Sequence, residues 1–200
     1  YHHQQLPRIL MNETIAAIAT ANGVGSISIL RLSGDRSLSI ALKLSRKTEL
    51  QPRYATLTSL HHDDGTLIDE AILIYFQAPR SFTGEEVVEF QCHGGFVVAE
   101  SLLRAVLREG ARLAEPGEFS KRAFLNGRLD LTQAEATAAL IEAKSDDAAR
   151  ILARQMKGEL RGYIEGIRDS LLEILAYSEV VIDYAEEDLP QDVVEQIEVK

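Results

Sequence analysis

Glu89 lies in the middle of a run whose side chains alternate between two faces, as they do in a β-strand. Within 87–92 the even-numbered residues share one face, and Glu89 shares the other with Val87 and Gln91. On a solvated face such a carboxylate has no special role, and for an isolated glutamate that is the commoner case. Inside a pocket, its two oxygens can accept a pair of N–H donors from a ligand ring. Glu89 is therefore a candidate binding residue.

Arg31 ends a predicted strand that is otherwise built of Ser, Ile and Leu, and it shares a face with Ile27 and Ile29. An arginine in that position either extends its guanidinium to the edge of the sheet or meets an anion. The sequence alone leaves these two interpretations equally open.

The segment His93–Gly95 lies between a predicted strand and a predicted helix. Two glycines allow close approach of the backbone, and the start of a helix offers free amides to an anion. The same pattern is also ordinary turn chemistry. Neither Asp nor Ser stands at a readable spacing from His93, so no hydrolytic triad is predicted. Cys92 is interpreted as a small core residue.

Composition and missing motifs exclude several classes of protein. The 200 residues hold 21 Lys and Arg against 31 Asp and Glu, for a net charge of -10. That field opposes nucleic acid, although a local basic patch could still bind it. The single cysteine cannot form an internal disulfide, which favours a reducing compartment, and the longest apolar run, Ala71–Phe76, is far too short for a membrane span. The sequence has no G-x-x-x-x-G-K-[ST] phosphate loop, no G-x-G-x-x-G loop and, once the histidines of residues 1–10 are set aside, no metal-ligand spacing.

From Thr14 to about Ala114 the pattern predicts a mixed α/β domain. One helix follows Gly34, and a second runs from the His93–Gly95 turn to about Glu109, where Gly110 ends it. The segment 115–130 is by itself typical of a surface helix. A hairpin turn is predicted at Asp63–Gly65, and the predicted strands are Ile15–Thr20, Ser26–Leu32, Tyr54–Leu60, Ile68–Phe76 and Glu86–Cys92.

After Gly127 helix formers dominate to about Tyr184. Thr132 and Glu135 have the spacing of a capping box. Three glycines four residues apart would share one helix face, where either another backbone approaches closely or the helix is locally soft: Gly158, Gly162 and Gly166. Apolar residues spaced four and three apart predict a stripe that packs against other helices: Leu160, Ile164, Ile167, Leu171 and Ile174.

The chain is thus expected to have three parts. Residues 1–10 form a tail ahead of a natural start at Met11, residues 11–127 form the mixed α/β domain, and residues 128–200 form the first helices of an all-α domain.

Five stretches together resemble the N-terminal part of the tRNA modification GTPases of the MnmE, or TrmE, family. The block Pro116–Asn126 is the most specific, because it is long and unusual in composition. Cys92 stands where the family is expected to have glycine. The resemblance runs from about Thr14 to Pro190 and rests on Ile29–Gly34, Ser81–Glu85, His93–Gly95, Pro116–Asn126 and Leu129–Ala136.

The resemblance implies an α/β fold like that of the folate-binding domains of one-carbon-transfer proteins. Such a domain forms a homodimer and holds a tetrahydrofolate one-carbon carrier of the 5-formyltetrahydrofolate type. Its binding positions would map onto Arg31, Glu89 and Arg128, and no catalytic residue of the family would fall in this chain. The chemistry agrees, since Glu89 suits the donor-rich pterin ring and arginines suit the folate carboxylates.

The resemblance also implies parts of a longer protein that these 200 residues do not include. In the family, the helical domain holds an inserted GTPase domain and ends with a catalytic cysteine; GTP, Mg²⁺ and K⁺ would bind only through the GTPase domain. With a flavin-dependent partner subunit in a heterotetramer, the whole protein would add an aminomethyl-type group to the wobble uridine of tRNA in the cytoplasm, away from membranes. The present chain would bind the carbon donor and dimerise, but would not hydrolyse GTP.

Two rival hypotheses belong to other classes. A non-catalytic assembly module would pair subunits without any ligand, and the apolar stripe, the glycines and the acidic surface would serve it equally well. A stand-alone one-carbon transferase of the same fold ranks lowest, because the sequence offers no convincing catalytic acid or base. The variant Glu89→Ala separates the first two, because only a folate site would lose a ligand.

Overall fold

A computed structural model describes residues 13–21, 23 and 25–183, without the side chains of residues 180–183. The tail predicted over residues 1–10 and the natural start predicted at Met11 lie outside the described residues. Contacts between Cα atoms divide the chain into two compact units, one ending at Leu129 and the other beginning at Asp130. The domain limits predicted at 11–127 and 128–200 stay predictions.

The first unit is built on one six-stranded sheet. Its strands are β1 (Ile15–Ile18), β2 (Ile27–Ser33), β3 (Thr56–His61), β4 (Leu67–Phe76), β5 (Val87–His93) and β6 (Arg112–Leu113). They lie in the order β3-β4-β5-β2-β1-β6. All neighbours run antiparallel except β1 and β6, which are parallel. This order places β2 and β5, which carry Arg31 and Glu89, side by side near the centre of the sheet.

Two helices cover one face of the sheet, α1 (Ser37–Ser45) and α2 (Phe96–Arg108). The residues between them and the sheet are almost inaccessible to solvent: Leu30, Leu32, Leu73, Val88, Phe90, Leu102 and Val106 are each exposed by 1% or less. A third helix, α3 (Glu118–Leu125), follows β6. The alternation predicted for 87–92 is confirmed, because Val88, Phe90 and Cys92 are buried in this core.

The local signals for turns in this unit are confirmed. Gly65 has φ +89° in the short connection between β3 and β4, where the His62 amide donates to the Thr66 carbonyl. Gly110 has φ +93° and follows the end of α2. The two-residue strand β6 was not predicted, because so short a segment shows no alternation and is defined by its parallel pairing with β1.

The second unit is helical and consists of α4 (Leu131–Ile141), α5 (Asp146–Met156) and α6 (Glu159–Asp183). The capping box predicted at Thr132 and Glu135 is wrong. The cap is Asp130, whose side chain accepts from the Gln133 amide, while the Gln133 side chain accepts from the Asp130 amide. The box begins two residues earlier because an aspartate in extended conformation precedes the threonine. A mixed α/β unit followed by helices confirms the predicted fold class.

The three glycines of the second unit do not form one helical stripe. Gly158 has φ +84° and lies between α5 and α6, so it ends one helix rather than lining another. At Gly162 and Gly166, no described atom other than the near helix backbone lies within 4 Å of where a Cβ would be. Three residues of the apolar stripe, Ile164, Ile167 and Leu171, are between 46% and 60% exposed. The described residues therefore show neither a close backbone approach nor a packed stripe there.

Candidate functional site

Arg31 and Glu89 face each other directly across the β2–β5 pair. Nε of Arg31 donates to Oε1 of Glu89 at 2.8 Å, and Nη2 of Arg31 lies 2.7 Å from the same oxygen as part of the ion pair. Their side chains are 30% and 15% exposed, on the face of the sheet opposite α1 and α2. Of the two interpretations of Arg31, the structure favours the one in which it meets an anion, and that anion is supplied by the neighbouring strand.

Two aromatic rings flank the Arg31 guanidinium. Its central carbon lies 5.7 Å from the centre of the Phe82 ring and 5.9 Å from that of Phe119. Phe82 comes from the loop between β4 and β5, and Phe119 comes from the first turn of α3. The guanidinium is thus held by a carboxylate and two ring faces, which restricts its orientation.

Arg128 joins this site through the same loop that carries Phe82. Its Nε donates to the Ser81 carbonyl at 3.1 Å. Gly84 has φ +80°, and a Cβ there would lie 3.1 Å from Cγ of Arg128, so the loop and the arginine stem are in close contact. The loop Ser81–Glu85, called the 81–85 loop below, therefore contacts two of the three predicted residues.

The three predicted binding residues come together to different degrees. Arg31 and Glu89 form one ion pair, and Arg128 shares only the 81–85 loop with them. Within the part of the chain that the structure describes, Oε2 of Glu89, Nη1 of Arg31 and both terminal nitrogens of Arg128 have no hydrogen-bond partner. The site thus presents one carboxylate acceptor and several guanidinium donors to an incoming molecule.

A buried ionic cluster supports this region, and the sequence pattern did not predict it. Arg122 in α3 is only 2% exposed, so the prediction of a surface helix over 115–130 is wrong for the face that carries this residue. Arg122 pairs with Glu85 at 3.0 Å and with Glu118 at 3.1 Å. Arg112 also binds Glu118, and that hydrogen bond, more than any other effect, lowers the pKa of the Glu118 carboxyl to about 2. The i, i+4 spacing of Glu118 and Arg122 was the available signal.

His93 has an aspartate partner that the sequence did not reveal. Its Nδ1 lies 2.7 Å from Oδ1 of Asp69, and its backbone amide donates to Oδ2 of the same carboxylate. His93 borders a cavity of about 300 Å³, whose lining includes Ile27, Leu57 and Ile72. Only the register of β4 against β5, which brings residues 24 positions apart together, could have identified this contact.

Cys92 behaves as the predicted core residue. It is 3% exposed, and burial raises the pKa of its thiol. Among the described residues, no three metal-binding side chains cluster together. Across those same ranges, each helix is either too short or too polar to cross a membrane.

Comparison with known proteins matches each of the two units to a protein-family model. Residues 14–128 match the family model described as "GTP-binding protein TrmE N-terminus", and residues 131–200 match the MnmE helical domain. The chain is 65% identical over 191 residues to the tRNA modification GTPase MnmE of Sulfurimonas denitrificans, covering 96% of this chain and 43% of that protein. It is 64% identical over 187 residues to its counterpart in a Sulfurovum species, covering 94% and 42%.

The same relationship holds for a third relative, the tRNA modification GTPase MnmE of a Nitratiruptor species. There the identity is 68% over 175 residues, covering 88% of this chain and 39% of the relative. The chain thus spans about two fifths of the length of these curated relatives. On the two family matches and this level of identity, the chain belongs to the MnmE, or TrmE, family of tRNA modification GTPases.

Proposed function

We propose that this chain is the part of a tRNA-modifying GTPase that binds a tetrahydrofolate one-carbon donor and forms a homodimer. In the longer protein, GTP, Mg²⁺ and K⁺ bind a separate GTPase domain. Together with a flavin-dependent partner subunit, that protein adds an aminomethyl-type group to the wobble uridine of tRNA in the cytoplasm. Support for this role comes from the names of the relatives, which describe tRNA modification GTPases.

One observation carries the folate proposal. Glu89 is a carboxylate in the middle of a sheet, 15% exposed, and its Oε2 has no partner among the described residues. Keeping a carboxylate at such a position is unfavourable unless it is paired. Arg31 satisfies one oxygen, which leaves the other able to accept from a ligand.

The Arg31–Glu89 pair fits the edge of a pterin ring. That edge carries N–H donors next to a carbonyl acceptor, and the pair offers the free oxygen of Glu89 and the free Nη1 of Arg31. This division of roles differs from the expectation that both arginines bind carboxylates, because Glu89 already neutralises Arg31. When bound, the folate would supply a carbon unit at the formyl level.

Arg128 fits the glutamate end of the folate. It is exposed, and no carboxylate pairs with its guanidinium among the described residues. Its terminal nitrogens can therefore form a bidentate contact with a carboxylate. The contact between its Nε and the Ser81 carbonyl fixes the stem and leaves the end free.

The assembly module remains a second candidate function, and one observation favours it. Ile27 and Leu57 are each 61% exposed on the face of the sheet that α1 and α2 leave uncovered. An apolar face of this kind suits contact with a second copy of the chain. Folate binding and dimerisation are compatible, so the two proposals differ only in whether a ligand binds.

Two ligands test how the roles are divided. The affinities of 5-formyltetrahydrofolate and of 5-formyltetrahydropterin, which lacks the glutamate end, are measured for Arg31→Ala, Glu89→Gln and Arg128→Ala. We expect Arg128→Ala to weaken only the folate, by about tenfold for one lost charged contact, and Arg31→Ala and Glu89→Gln to weaken both ligands. Equal effects of Arg128→Ala on both ligands would contradict the proposed arrangement, and no binding of either ligand to the unmodified chain would favour the assembly module.

A further inference from the structure

Arg122 is the most deeply buried charged side chain in the candidate region, and it touches none of the three proposed binding residues. Its exposure is 2%. Every nitrogen of its guanidinium is used: Nη1 binds both oxygens of Glu85, Nη2 binds Glu118 and the Glu13 carbonyl, and Nε binds Glu118. Charges are buried in this way only when their partners are held in a well-defined geometry. Arg122 therefore fixes the positions of the groups around it.

Glu85 connects Arg122 to the end of β2. Its Oε2 accepts from the Ser33 hydroxyl at 2.7 Å. The Ser33 hydroxyl also lies 2.6 Å from that of Thr83, and both residues are fully buried. Thr83 in turn accepts from the Glu85 amide at 3.3 Å. The contacts run from Arg122 through Glu85 and Ser33 to Thr83, and they tie the 81–85 loop to α3 and to β2, the strand that carries Arg31.

The 81–85 loop contacts two of the proposed binding residues, Arg31 and Arg128. The Ser81 hydroxyl donates to the Glu85 carbonyl at 2.6 Å, so the two ends of the loop are joined. From this folded loop, Phe82 extends to the guanidinium of Arg31 and the Ser81 carbonyl accepts from Arg128. A second anchor comes from Asn126, whose side-chain amide donates to the Thr83 carbonyl at 2.7 Å.

The second aromatic neighbour of Arg31 depends on the same arginine. Phe119 follows Glu118, the other carboxylate partner of Arg122, on the first turn of α3. Glu118 is also held by two hydrogen bonds from Arg112, so a shift of Arg122 would disturb Phe82 through Glu85 more than Phe119 through Glu118.

We infer that the Arg122–Glu85 pair is a positioning pair, which sets Arg31 and Arg128 for the ligand by holding the 81–85 loop against β2 and α3. This inference rests on the proposed folate function. The pair does not contact the ligand. Its effect on binding comes from the orientation of the loop and of the aromatic rings.

The chain offers a matched control in Arg112. Arg112 binds Glu118 through two nitrogens and also binds Glu13, so it belongs to the same ionic cluster. None of its hydrogen bonds among the described residues reaches the 81–85 loop. Loss of cluster stability alone would therefore make Arg112→Lys and Arg122→Lys behave alike, whereas positioning of the loop would separate them.

The first measurement uses ligand-free protein. Amide hydrogen exchange is followed at residue 85, whose amide donates within the loop, and at Gly34, whose amide donates to the Glu86 carbonyl at 2.9 Å. We expect Arg122→Lys and Glu85→Gln each to raise these exchange rates at least tenfold, and Arg112→Lys to change them less than twofold. Glu85→Gln keeps the size of the side chain and the backbone amide whose exchange is measured at residue 85. It therefore replaces Arg122→Lys if that variant does not fold.

The second measurement is the affinity for 5-formyltetrahydrofolate, at a temperature where every variant is folded. We expect the affinity to fall at least tenfold in Arg122→Lys and in Glu85→Gln, and less than twofold in Arg112→Lys. The double variant Arg122→Lys with Glu85→Gln should bind the ligand no more weakly than the weaker-binding of the two single variants. Full affinity despite a loosened loop, or equal losses for Arg112→Lys and Arg122→Lys, would overturn the inference. Unchanged exchange would overturn it as well. If the unmodified chain binds no folate while the exchange rates change as expected, the proposed function fails but the holding of the loop stands.

Discussion

At the scale of single residues, Glu118 gives the first unit a stability that depends on pH. Hydrogen bonds from Arg112, then from the Glu115 amide and Arg122, lower the pKa of its carboxyl from 4.5 to about 2, against the effect of burial. A carboxyl whose pKa is lower in the folded state stabilises that state fully above its unfolded pKa. The stabilisation is then lost as the pH falls from about 4.5 towards 2.

Substitution of Glu118 should reduce this pH dependence. We expect the unfolding temperature of the first unit to fall between pH 5 and pH 2.5, and to fall less steeply in Glu118→Gln, which starts from a lower stability at neutral pH. The measurement is thermal unfolding at several pH values. Glu70→Gln, which changes an exposed carboxyl on β4, is the control and should keep the original slope. The same slope in Glu118→Gln as in the unmodified chain would show that Glu118 does not provide this stabilisation.

The sequence predicted on which face a single residue lies better than it predicted which residue is its partner. The alternation around Glu89 placed it on the correct face, and Cys92 in the core. The contact of Glu89 with Arg31 joins residues 58 positions apart, and it depends on the register of two strands that no local pattern reveals. The partner of His93 was hidden for the same reason, and the buried position of Arg122 depends on Glu85, which lies 37 positions away.

At the scale of elements, Gly94 sits at the end of β5, where the backbone of a neighbouring segment leaves no room for a side chain. A Cβ there would lie 2.2 Å from the Gly25 carbonyl oxygen and 2.7 Å from the Ile27 nitrogen. We expect Gly94→Ala to lower the free energy of unfolding by about 2–3 kcal/mol, because backbone atoms have to move apart.

The adjacent glycine provides the control for this prediction. A Cβ at Gly95 would meet only a methyl group of Val98 at 4.0 Å, which is an ordinary contact. We expect Gly95→Ala to lower the free energy of unfolding by less than about 1 kcal/mol, the range for replacing a cap residue. Urea unfolding compares the two, and similar values would mean that Gly94 is not required by close packing.

Asp130 caps α4 in the second unit, and its loss should loosen the first turn of that helix. Without the bond from the Gln133 amide to the Asp130 side chain, Asp130→Ala should destabilise the helix by about 1 kcal/mol. Glu135, the residue of the capping box that the sequence predicted, is exposed, and Glu135→Ala should leave the helix unchanged. Amide exchange at Gln133 measures both. Faster exchange in Glu135→Ala than in Asp130→Ala would contradict the cap observed here.

Elements were predicted well where the signal was local. The strands that build the sheet have alternating or apolar runs long enough to recognise, and Gly65 and Gly110 mark turns through their positive φ. The strand β6 and the break at Gly158 were missed, because a two-residue strand exists only through its partner and a glycine four residues from the next resembles a helical stripe. The buried face of α3 was also missed, because the burial of Arg122 depends on a carboxylate from elsewhere in the first unit.

At the scale of the whole molecule, the sequence predicts that this chain does not hydrolyse GTP. None of its 200 residues forms a G-x-x-x-x-G-K-[ST] loop, whose backbone amides and lysine would hold the phosphates. We expect phosphate release from GTP to stay at the level of buffer, with or without Mg²⁺ and K⁺. Turnover that persists through further purification would contradict this prediction.

Calorimetric titration of 5-formyltetrahydrofolate into the purified chain would show whether the face of the sheet that α1 and α2 leave uncovered binds a folate through Glu89, as we propose. The unmodified chain is compared with Glu89→Ala and with Glu70→Ala, a matched change of an exposed carboxylate on β4. We expect saturable binding near one ligand per chain, retained in Glu70→Ala and lost in Glu89→Ala. No heat from a folded chain, or equal binding by all three proteins, would contradict it.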